Sequence, residues 1–269
     1  MLPWRSPLTT TLSELLRSAE ISPSGELRAH VPADWMQGRS AFGGLQVALA
    51  VRAMRALVPD APLRAIQATF VGPVGESVHV TAAILRKGRN VTHAEAQILD
   101  GQATSLLVVG VFGEARKSCF SLNRVMPDTP ATASTPFPHV PGVTPAFLQH
   151  FDARMISGAA PFSGSGASHA LFEVGLEDEG PATEAHAVAI SDFAPPLGLT
   201  YLSAPAPAST ATWLLELATD RFDDLPLSGW RIAASLDHAR DGYTSQTTVV
   251  WAPGGATVAR GHQTMLVFG

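Results

Sequence analysis

The chain has 269 residues, of which 46% are hydrophobic and 15% are charged, and its net charge is −5. This composition supplies enough apolar residues for a sizeable core, in one large domain or two ordinary ones, and argues against disorder. The acidic balance argues against a nucleic-acid surface, which usually carries a basic patch. The apolar run Leu106–Phe112 is far too short to span a membrane.

Cys119 is the only cysteine of the chain. A single cysteine excludes a disulfide within the chain and a metal cluster of several thiolates, and it fits a reducing cytoplasm. The first residues, Met1–Arg5, lack the basic region and the apolar stretch of a signal peptide. We therefore expect a cytoplasmic protein with neither nucleic-acid nor membrane partners.

The first half is predicted to form a short surface helix, a short strand and then a long buried helix. The short helix covers Thr10–Ser18, and the short strand covers Glu26–Pro32. The long helix, Ala41–Leu57, is apolar on nearly every side, which is typical of a buried helix. Turn residues then separate four predicted strands, namely Leu63–Val71, Ser77–Leu85, Val91–Leu99 and Thr104–Phe112.

The second half repeats this order after a linker, 123–148, that is rich in Pro, Thr and Ala. A strand at His169–Glu177 precedes a second long helix, Glu184–Leu202, which Pro195-Pro196 interrupts. Four further strands are predicted at Ser209–Ala218, Trp230–His238, Tyr243–Trp251 and Ala256–Phe268. An apolar helix must be covered, so one helix followed by antiparallel strands predicts an α+β hotdog fold. Its repetition predicts a double hotdog, with domains at 1–122 and 149–269.

Three polar residues of the second half are candidates for catalysis. Asp192 lies among apolar helix residues, where burial would raise its pKa and suit it to act as a base. Gln263 can donate and accept hydrogen bonds, and Thr210 can accept from a water and donate to a carboxylate. A plainer alternative makes Asp192 a solvent-facing acid at a proline-broken helix end, and the other two ordinary strand residues. Glu216, which alternation places on the face of Thr210, is a reserve candidate for the base.

Two places in the first half are candidates for ligand binding. The long helix starts at Phe42-Gly43-Gly44, where backbone amides could polarise a carbonyl group, although close packing explains the glycines equally well. Arg89 belongs to a short basic turn, which is either a contact for phosphates or a solvated hairpin. No metal-site spacing, phosphate-binding loop or strict nucleophile elbow is found, so no cofactor is expected.

Several weak motifs, taken in order, resemble one family. The stretch AFGGLQVALAVRAM contains a Phe-Gly-Gly helix start, and Phe70-Val71-Gly72-Pro73 and Leu85–Gly88 match a Phe-x-x-Pro element and a Leu-Arg-x-Gly hairpin. In the second half, HAVAISDFAPPLGL is similar to a helix with a Ser-Asp pair, and ATVARGHQTMLVF to a closing strand with a glutamine. These motifs resemble the double-hotdog acyl-CoA thioesterases of the bacterial thioesterase II type, over about 25–269 without the linker.

The resemblance implies the hydrolysis of acyl-CoA thioesters by a water that an Asp, a Ser or Thr and a Gln hold and activate. Carried over, these residues are Asp192, Thr210 and Gln263, with Ser209 and Thr212 as alternatives to Thr210. Phe42, Gly43, Gly44 and Arg89 would bind the substrate. The chain departs from the family after Thr210, where it has Ala and Trp or Leu in place of an Asp and a His, and at Pro195-Pro196.

Two other functions fit the same scaffold. One is a non-catalytic acyl-CoA-binding protein, because a fold does not determine a function. The other is a hotdog hydratase or dehydratase, which usually needs a His with an acid, and no His is convincingly placed. Exposed hotdog sheet edges would also allow homo-oligomers to form.

Overall fold

The computed structural model describes residues 9–129 and 134–268. The N-terminal residues 1–5, for which no signal peptide is expected, and Pro130 of the linker lie outside the described residues. Within the described ranges, no helix is both long enough and apolar enough to cross a membrane.

The described residues contain three α-helices: α1 (Leu12–Ser18), α2 (Gly43–Leu57) and α3 (Glu184–Ser191). Helix α1 begins with a capping box, in which Thr11 and Glu14 each accept a hydrogen bond from the other's backbone amide. Helix α2 is almost entirely buried, as its uniformly apolar surface predicts. In the same described ranges, 3₁₀ turns lie at Ala33–Trp35, Ala146–His150 and Leu197–Tyr201.

The second helix is shorter than the sequence predicts. Helix α3 starts after Thr183, whose hydroxyl accepts the backbone amide of His186, but it ends at Ser191 instead of continuing to Leu202. Pro195 and Pro196 lack the backbone N–H that helical hydrogen bonds need, so the chain resumes only as a 3₁₀ turn. Asp192 therefore occupies the C-cap of α3, with φ −96° and ψ 6°, rather than the middle of a long helix.

The described strands are fifteen in number, and the predicted strands all lie among them, with ends that differ by up to two residues. Those of the first half are β1 (Glu20–Ile21), β2 (Leu27–His30), β3 (Met36–Gln37), β4 (Ser40–Ala41), β5 (Leu63–Phe70), β6 (Ser77–Lys87), β7 (Val91–Asp100) and β8 (Ala103–Gly113). Those that follow are β9 (Thr135–Pro136), β10 (Phe151–Ser157), β11 (His169–Leu176), β12 (Ala208–Leu217), β13 (Trp230–Arg240), β14 (Tyr243–Trp251) and β15 (Thr257–Val267).

Thirteen of these strands form one antiparallel sheet, in the order β1-β2-β6-β7-β8-β5-β12-β15-β14-β13-β11-β10-β9, and β3 pairs only with β4. The order β6-β7-β8-β5 of the first half is mirrored by β12-β15-β14-β13 in the second. The pair β5–β12 joins the two halves. The short strands β1, β3, β4 and β9 and the longer β10 were not predicted; β9 lies inside the Pro-rich linker and pairs with β10.

Helices α2 and α3 pack directly against each other. A Cβ atom at Gly44 would lie 2.8 Å from the ring of Phe42 and 3.0 Å from the backbone of Ala189, so this close approach needs a glycine. On their other sides, α2 contacts β6, β7 and β8, and α3 contacts β11 and β15. The chain is thus an α+β protein with few helices and a predominantly antiparallel sheet.

Candidate active site

The carboxylate of Asp192 lies where three elements of the two halves meet. Gln263, on β15, donates a hydrogen bond from Nε2 to Oδ1 of Asp192 at 2.7 Å. The backbone amide of Gly44, at the start of α2, donates a second hydrogen bond to the carboxylate. A Cβ atom at Gly43 would lie 2.7 Å from Oδ2, so the first turn of α2 admits this carboxylate only because it carries no side chain there.

The position of Asp192 has a clear electrostatic cause. The N-terminus of a helix carries unpaired N–H groups and a partial positive charge, and the N-cap residue Phe42 provides no side-chain cap. The carboxylate of Asp192, from the second half of the chain, takes the place of this cap and accepts a hydrogen bond from the Gly44 amide. Although the residue keeps some exposed surface, its carboxyl group is enclosed, and this burial raises its pKa from 3.8 to about 7. The hydrogen bonds from Gln263 and Gly44 lower the pKa, but burial outweighs them.

Gln263 lies in a row of three side chains across the inner face of the sheet. Its neighbours in register are Trp213 on β12 and Gln246 on β14, and all three are buried. Gln246 is fully buried, and its Oε1 accepts the backbone amide of Leu197 at 2.8 Å. Gln246 therefore holds the chain just after the Pro195-Pro196 break and helps to set the position of Asp192.

Thr210 faces the same side of the sheet as Gln263. It pairs with Met265, whereas Trp213 pairs with Gln263, because a β-bulge interrupts the register between Thr210 and Thr212. The alternatives Ser209 and Thr212 are exposed and lie on the opposite face. Thr210 is thus the one of the three that lies diagonally across from Gln263, although no direct hydrogen bond joins its hydroxyl to Asp192 or Gln263 in the described residues.

The same bulge corrects the prediction for Glu216. Uninterrupted alternation would place Glu216 on the face of Thr210, but the extra residue moves Glu216 to the outer face. There its carboxylate lies 3.5 Å from Arg260, and both side chains are exposed. Because its side chain lies on the opposite face of the sheet from Gln263, Glu216 is no candidate for the base.

The side chains of two predicted binding residues, Phe42 and Arg89, make no hydrogen bond to the carboxylate among the described residues. The ring of Phe42 is buried and stacks on Phe147 at 4.0 Å between centroids, so its side chain is part of the core. Arg89 is exposed in the turn between β6 and β7, beside Pro59 at the C-terminal end of α2. A helix of 15 residues is about 22 Å long, which separates Arg89 from the Asp192 end of α2.

Comparison with known protein families identifies the chain. Residues 31–113 match the acyl-CoA thioesterase N-terminal domain, and residues 126–267 match the acyl-CoA thioesterase C-terminal domain. The chain belongs to the acyl-CoA thioesterase family. Among curated proteins, no sequence matches it significantly.

Solved structures give the fold of this thioesterase-family chain. A conserved hotdog-fold protein of unknown function from Alicyclobacillus acidocaldarius is 20% identical, with a TM-score of 0.86 over 97% of this chain and 99% of its own. A TesB protein from Mycobacterium avium subspecies paratuberculosis is 12% identical, with a TM-score of 0.78 over 96% and 98%. The acyl-CoA thioesterase II TesB2 from Mycobacterium marinum is 16% identical, with a TM-score of 0.73 over 96% and 98%. The chain therefore has a hotdog fold, as predicted.

Two residues beside the site were missed by sequence reasoning, Gln246 and Trp213. On β14, Thr244, Gln246 and Thr248 alternate with Tyr243, Ser245 and Thr247, so both faces carry polar residues and alternation does not indicate which face is buried. In the structure, Thr244, Gln246 and Thr248 are the buried ones. For Trp213, the only indication in the sequence was that it follows Thr210 by three residues on the same strand, β12.

Proposed function

We propose that the chain hydrolyses acyl-CoA thioesters with Asp192 as the general base. The observation that carries the proposal is the enclosed carboxylate of Asp192, bonded to Gln263 and set against the first turn of α2. A base works best when its pKa is close to the working pH, and a pKa of about 7 meets this requirement. Thr210 and Gln263 would orient the water.

In the proposed step, the Asp192 carboxylate accepts a proton from the water while the water oxygen attacks the thioester carbonyl carbon. The C–S bond then breaks, and the CoA thiolate takes the proton from the Asp192 carboxyl group. The products are a carboxylic acid and free CoA. The first turn of α2 lies against the Asp192 carboxylate, and the partial positive charge of this helix N-terminus would favour the developing oxyanion.

We also propose that the two halves are two hotdog units, at 1–122 and 149–269, with 123–148 as the connection. The mirrored strand orders and the one buried helix of each half support this division. The site would then lie between the units, because α2 comes from the first, whereas Asp192 and Gln263 come from the second. Acyl-CoA would be the partner of this site.

The histidines near the site favour hydrolysis over hydration or dehydration. His262, next to Gln263, has its Nε2 at 2.9 Å from the hydroxyl of Ser245 on the outer face. His186, on α3, is bound to Asp178 at the other end of the helix. Among the described residues, no histidine pairs with Asp192, and a hydratase site would need such a partner.

The direct test is the release of free CoA from a series of acyl-CoA esters by the purified protein. We expect hydrolysis by the wild type, and a loss of roughly 10²–10⁴-fold in kcat for Asp192→Ala, the usual contribution of a general base. Thr210→Ala should also lower kcat, whereas Thr212→Ala, on the opposite face, serves as the matched control. Absence of CoA release from every ester, or full activity of Asp192→Ala, would overturn the proposal.

A further inference from the structure

The ring of Phe70 and the carboxylate of Asp192 lie at the same residue of α2. A Cβ atom at Gly43 would lie 2.7 Å from Oδ2 of Asp192, and 3.4 and 3.5 Å from Cε1 and Cζ of Phe70. The absent side chain therefore lets an acid from the second half and an aromatic ring from the first half border one point of the helix. Phe70 is thus a neighbour of the proposed base that makes no hydrogen bond to it.

The register of the sheet places Phe70 on the face that carries Gln263. Ala68 on β5 pairs with Trp213 on β12, and Trp213 pairs with Gln263 on β15. Phe70 follows Ala68 by two residues, so its side chain lies on the same inner face. It is the last residue of β5, and the bulge next to Thr210 lies across from it on β12. Phe70 therefore belongs to the same wall as Thr210 and Gln263.

Backbone hydrogen bonds hold the end of β5 that carries Phe70. The amides of Val71 and Gly72 both donate to the carbonyl oxygen of Ser105, at 2.8 and 3.0 Å. Phe70 itself pairs with Leu106 on β8. The ring is therefore carried by a strand that is bonded up to its last residue, which suits a side chain that must keep its place beside a reactive group.

Phe70 lies at the border between the carboxylate and solvent. Gly44 and Gln263, which bond to the carboxylate, are buried, whereas Phe70 is only half-buried and Asp192 keeps some exposed surface. The bond from Gln263 goes to Oδ1, and the ring lies on the side of Oδ2. An apolar group that keeps water from a carboxylate makes its charged form less favourable.

The surroundings of Asp192 supply no charge that could act in place of the ring. Burial raises its pKa, and the hydrogen bonds from Gln263 and Gly44 lower it, with no charged side chain among the causes. The titratable side chains of the surrounding elements lie on the outer face of the sheet or farther along the chain. They are Glu173 on β11, Glu216 on β12 and His262 on β15, then Arg64 at the opposite end of β5, Arg52 on α2, His186 on α3 beside Asp178, and His150 beside Asp34.

We propose that Phe70 is a positioning residue of the active site, whose ring covers the Oδ2 side of Asp192 and keeps bulk water from it. The first half of the chain thereby contributes an apolar wall to a base that belongs to the second half. For its effect on the rate, this inference rests on the proposed function. The protonation of Asp192 can be followed without any turnover.

The first test is the pH profile of CoA release. Phe70→Ala removes the ring and admits water to Oδ2, so the midpoint of the rise in kcat/KM should move to lower pH by roughly one unit. Phe70→Leu keeps an apolar cover and should retain the midpoint of the wild type. Val71→Ala, which changes the adjacent side chain that is 64% exposed, is the matched control and should also retain it. A loss of packing alone would lower the rate without moving the midpoint.

A second measurement separates this inference from the proposed function. Because the folded state holds the Asp192 proton more tightly than the unfolded state, Asp192→Asn should raise Tm more at pH 8 than at pH 4. In a Phe70→Ala background, this difference between the two pH values should fall to roughly half, and in a Val71→Ala background it should be unchanged. Any packing that Phe70→Ala loses is lost with Asp and with Asn alike, so it cancels.

The inference is wrong if Phe70→Ala leaves the pH-dependent part of Tm unchanged or, in an active protein, leaves the kinetic midpoint unchanged. It is also wrong if Phe70→Leu shifts either quantity as far as Phe70→Ala does. If no ester is hydrolysed but the Tm difference falls as expected, the role of the ring stands and only the proposed function fails. Melting curves identify a variant that does not fold, and Phe70→Thr, which suits a strand, then replaces Phe70→Ala in both measurements.

Discussion

Replacing Asp192 by Asn should inactivate the protein and stabilise it at the same time. The substitution removes the base. The single amide oxygen of Asn can accept from the Gly44 amide, and its NH2 group can donate to Gln263 once the Gln263 amide turns to present its oxygen. It also removes the need to bury a charge. We expect kcat to fall roughly 10²–10⁴-fold, and the melting temperature to rise at neutral and alkaline pH.

The size and sign of the stability effect follow from the pKa of Asp192. Burial raises this pKa from 3.8 to about 7, so the folded state holds its proton more tightly than the unfolded state does. Stability is therefore lost as the pH rises above about 3.8, and the loss is complete once the pH passes about 7. A shift of this size corresponds to at most about 4 kcal/mol. Because the residue retains some exposed surface, we expect about 2 kcal/mol, or roughly 4–8 °C in Tm.

The assay is thermal unfolding of wild type and Asp192→Asn at pH 4, 6 and 8, together with CoA release. The stabilisation should be small at pH 4 and largest at pH 8. Glu216→Gln, which removes an exposed carboxylate, is the matched control and should change neither activity nor the pH dependence of Tm. An increase in Tm that is equal at all three pH values would refute the reasoning, as would an active Asp192→Asn.

Three further predictions concern the surroundings of Asp192. Wild-type kcat/KM should rise as the pH passes about 7, where Asp192 loses its proton. Gln263→Leu removes a hydrogen bond that lowers the Asp192 pKa, so this rise should move to higher pH. An unchanged pH profile would show that Gln263 does not affect the Asp192 pKa. Gly43→Ala should lower kcat at least roughly ten-fold, because a Cβ would lie 2.7 Å from Oδ2 of Asp192, whereas Gly75→Ala, with open space around it, should have no effect. Gln246→Leu leaves a backbone N–H unpaired after the helix break and should cost about 1–3 kcal/mol in urea unfolding; unchanged stability would show that this bond is dispensable.

The order of the elements could be predicted because it depends on local patterns. The apolar surface of α2 and the alternation of strands β5 to β8 are visible in short windows, and turn residues separate them. The family resemblance rests on the same local motifs. Strand β9 was missed because Pro136 and its neighbours read as linker, and its pairing with β10 is a contact made in the folded chain.

The face of Thr210 was predicted, but for an incomplete reason. Alternation alone puts Thr210 with Thr212 and Glu216, and the bulge in β12 separates them. A bulge depends on the register with the neighbouring strand and leaves no clear mark in the sequence. Gln246 on β14 is likewise buried because the helices cover that face of the sheet, and the sequence of β14 alone does not indicate which face they cover.

The sequence by itself predicted two similar halves, a buried helix in each, and an acid and an amide in the second half as candidates for hydrolysis. Only the tertiary structure decided that Asp192 meets the first turn of α2, from the other half. The break at Pro195-Pro196 places the acid at the end of α3, and the packing of α3 on Gly44 brings it to the unpaired amides. Residues so far apart in the chain meet through helix packing, which no local pattern encodes.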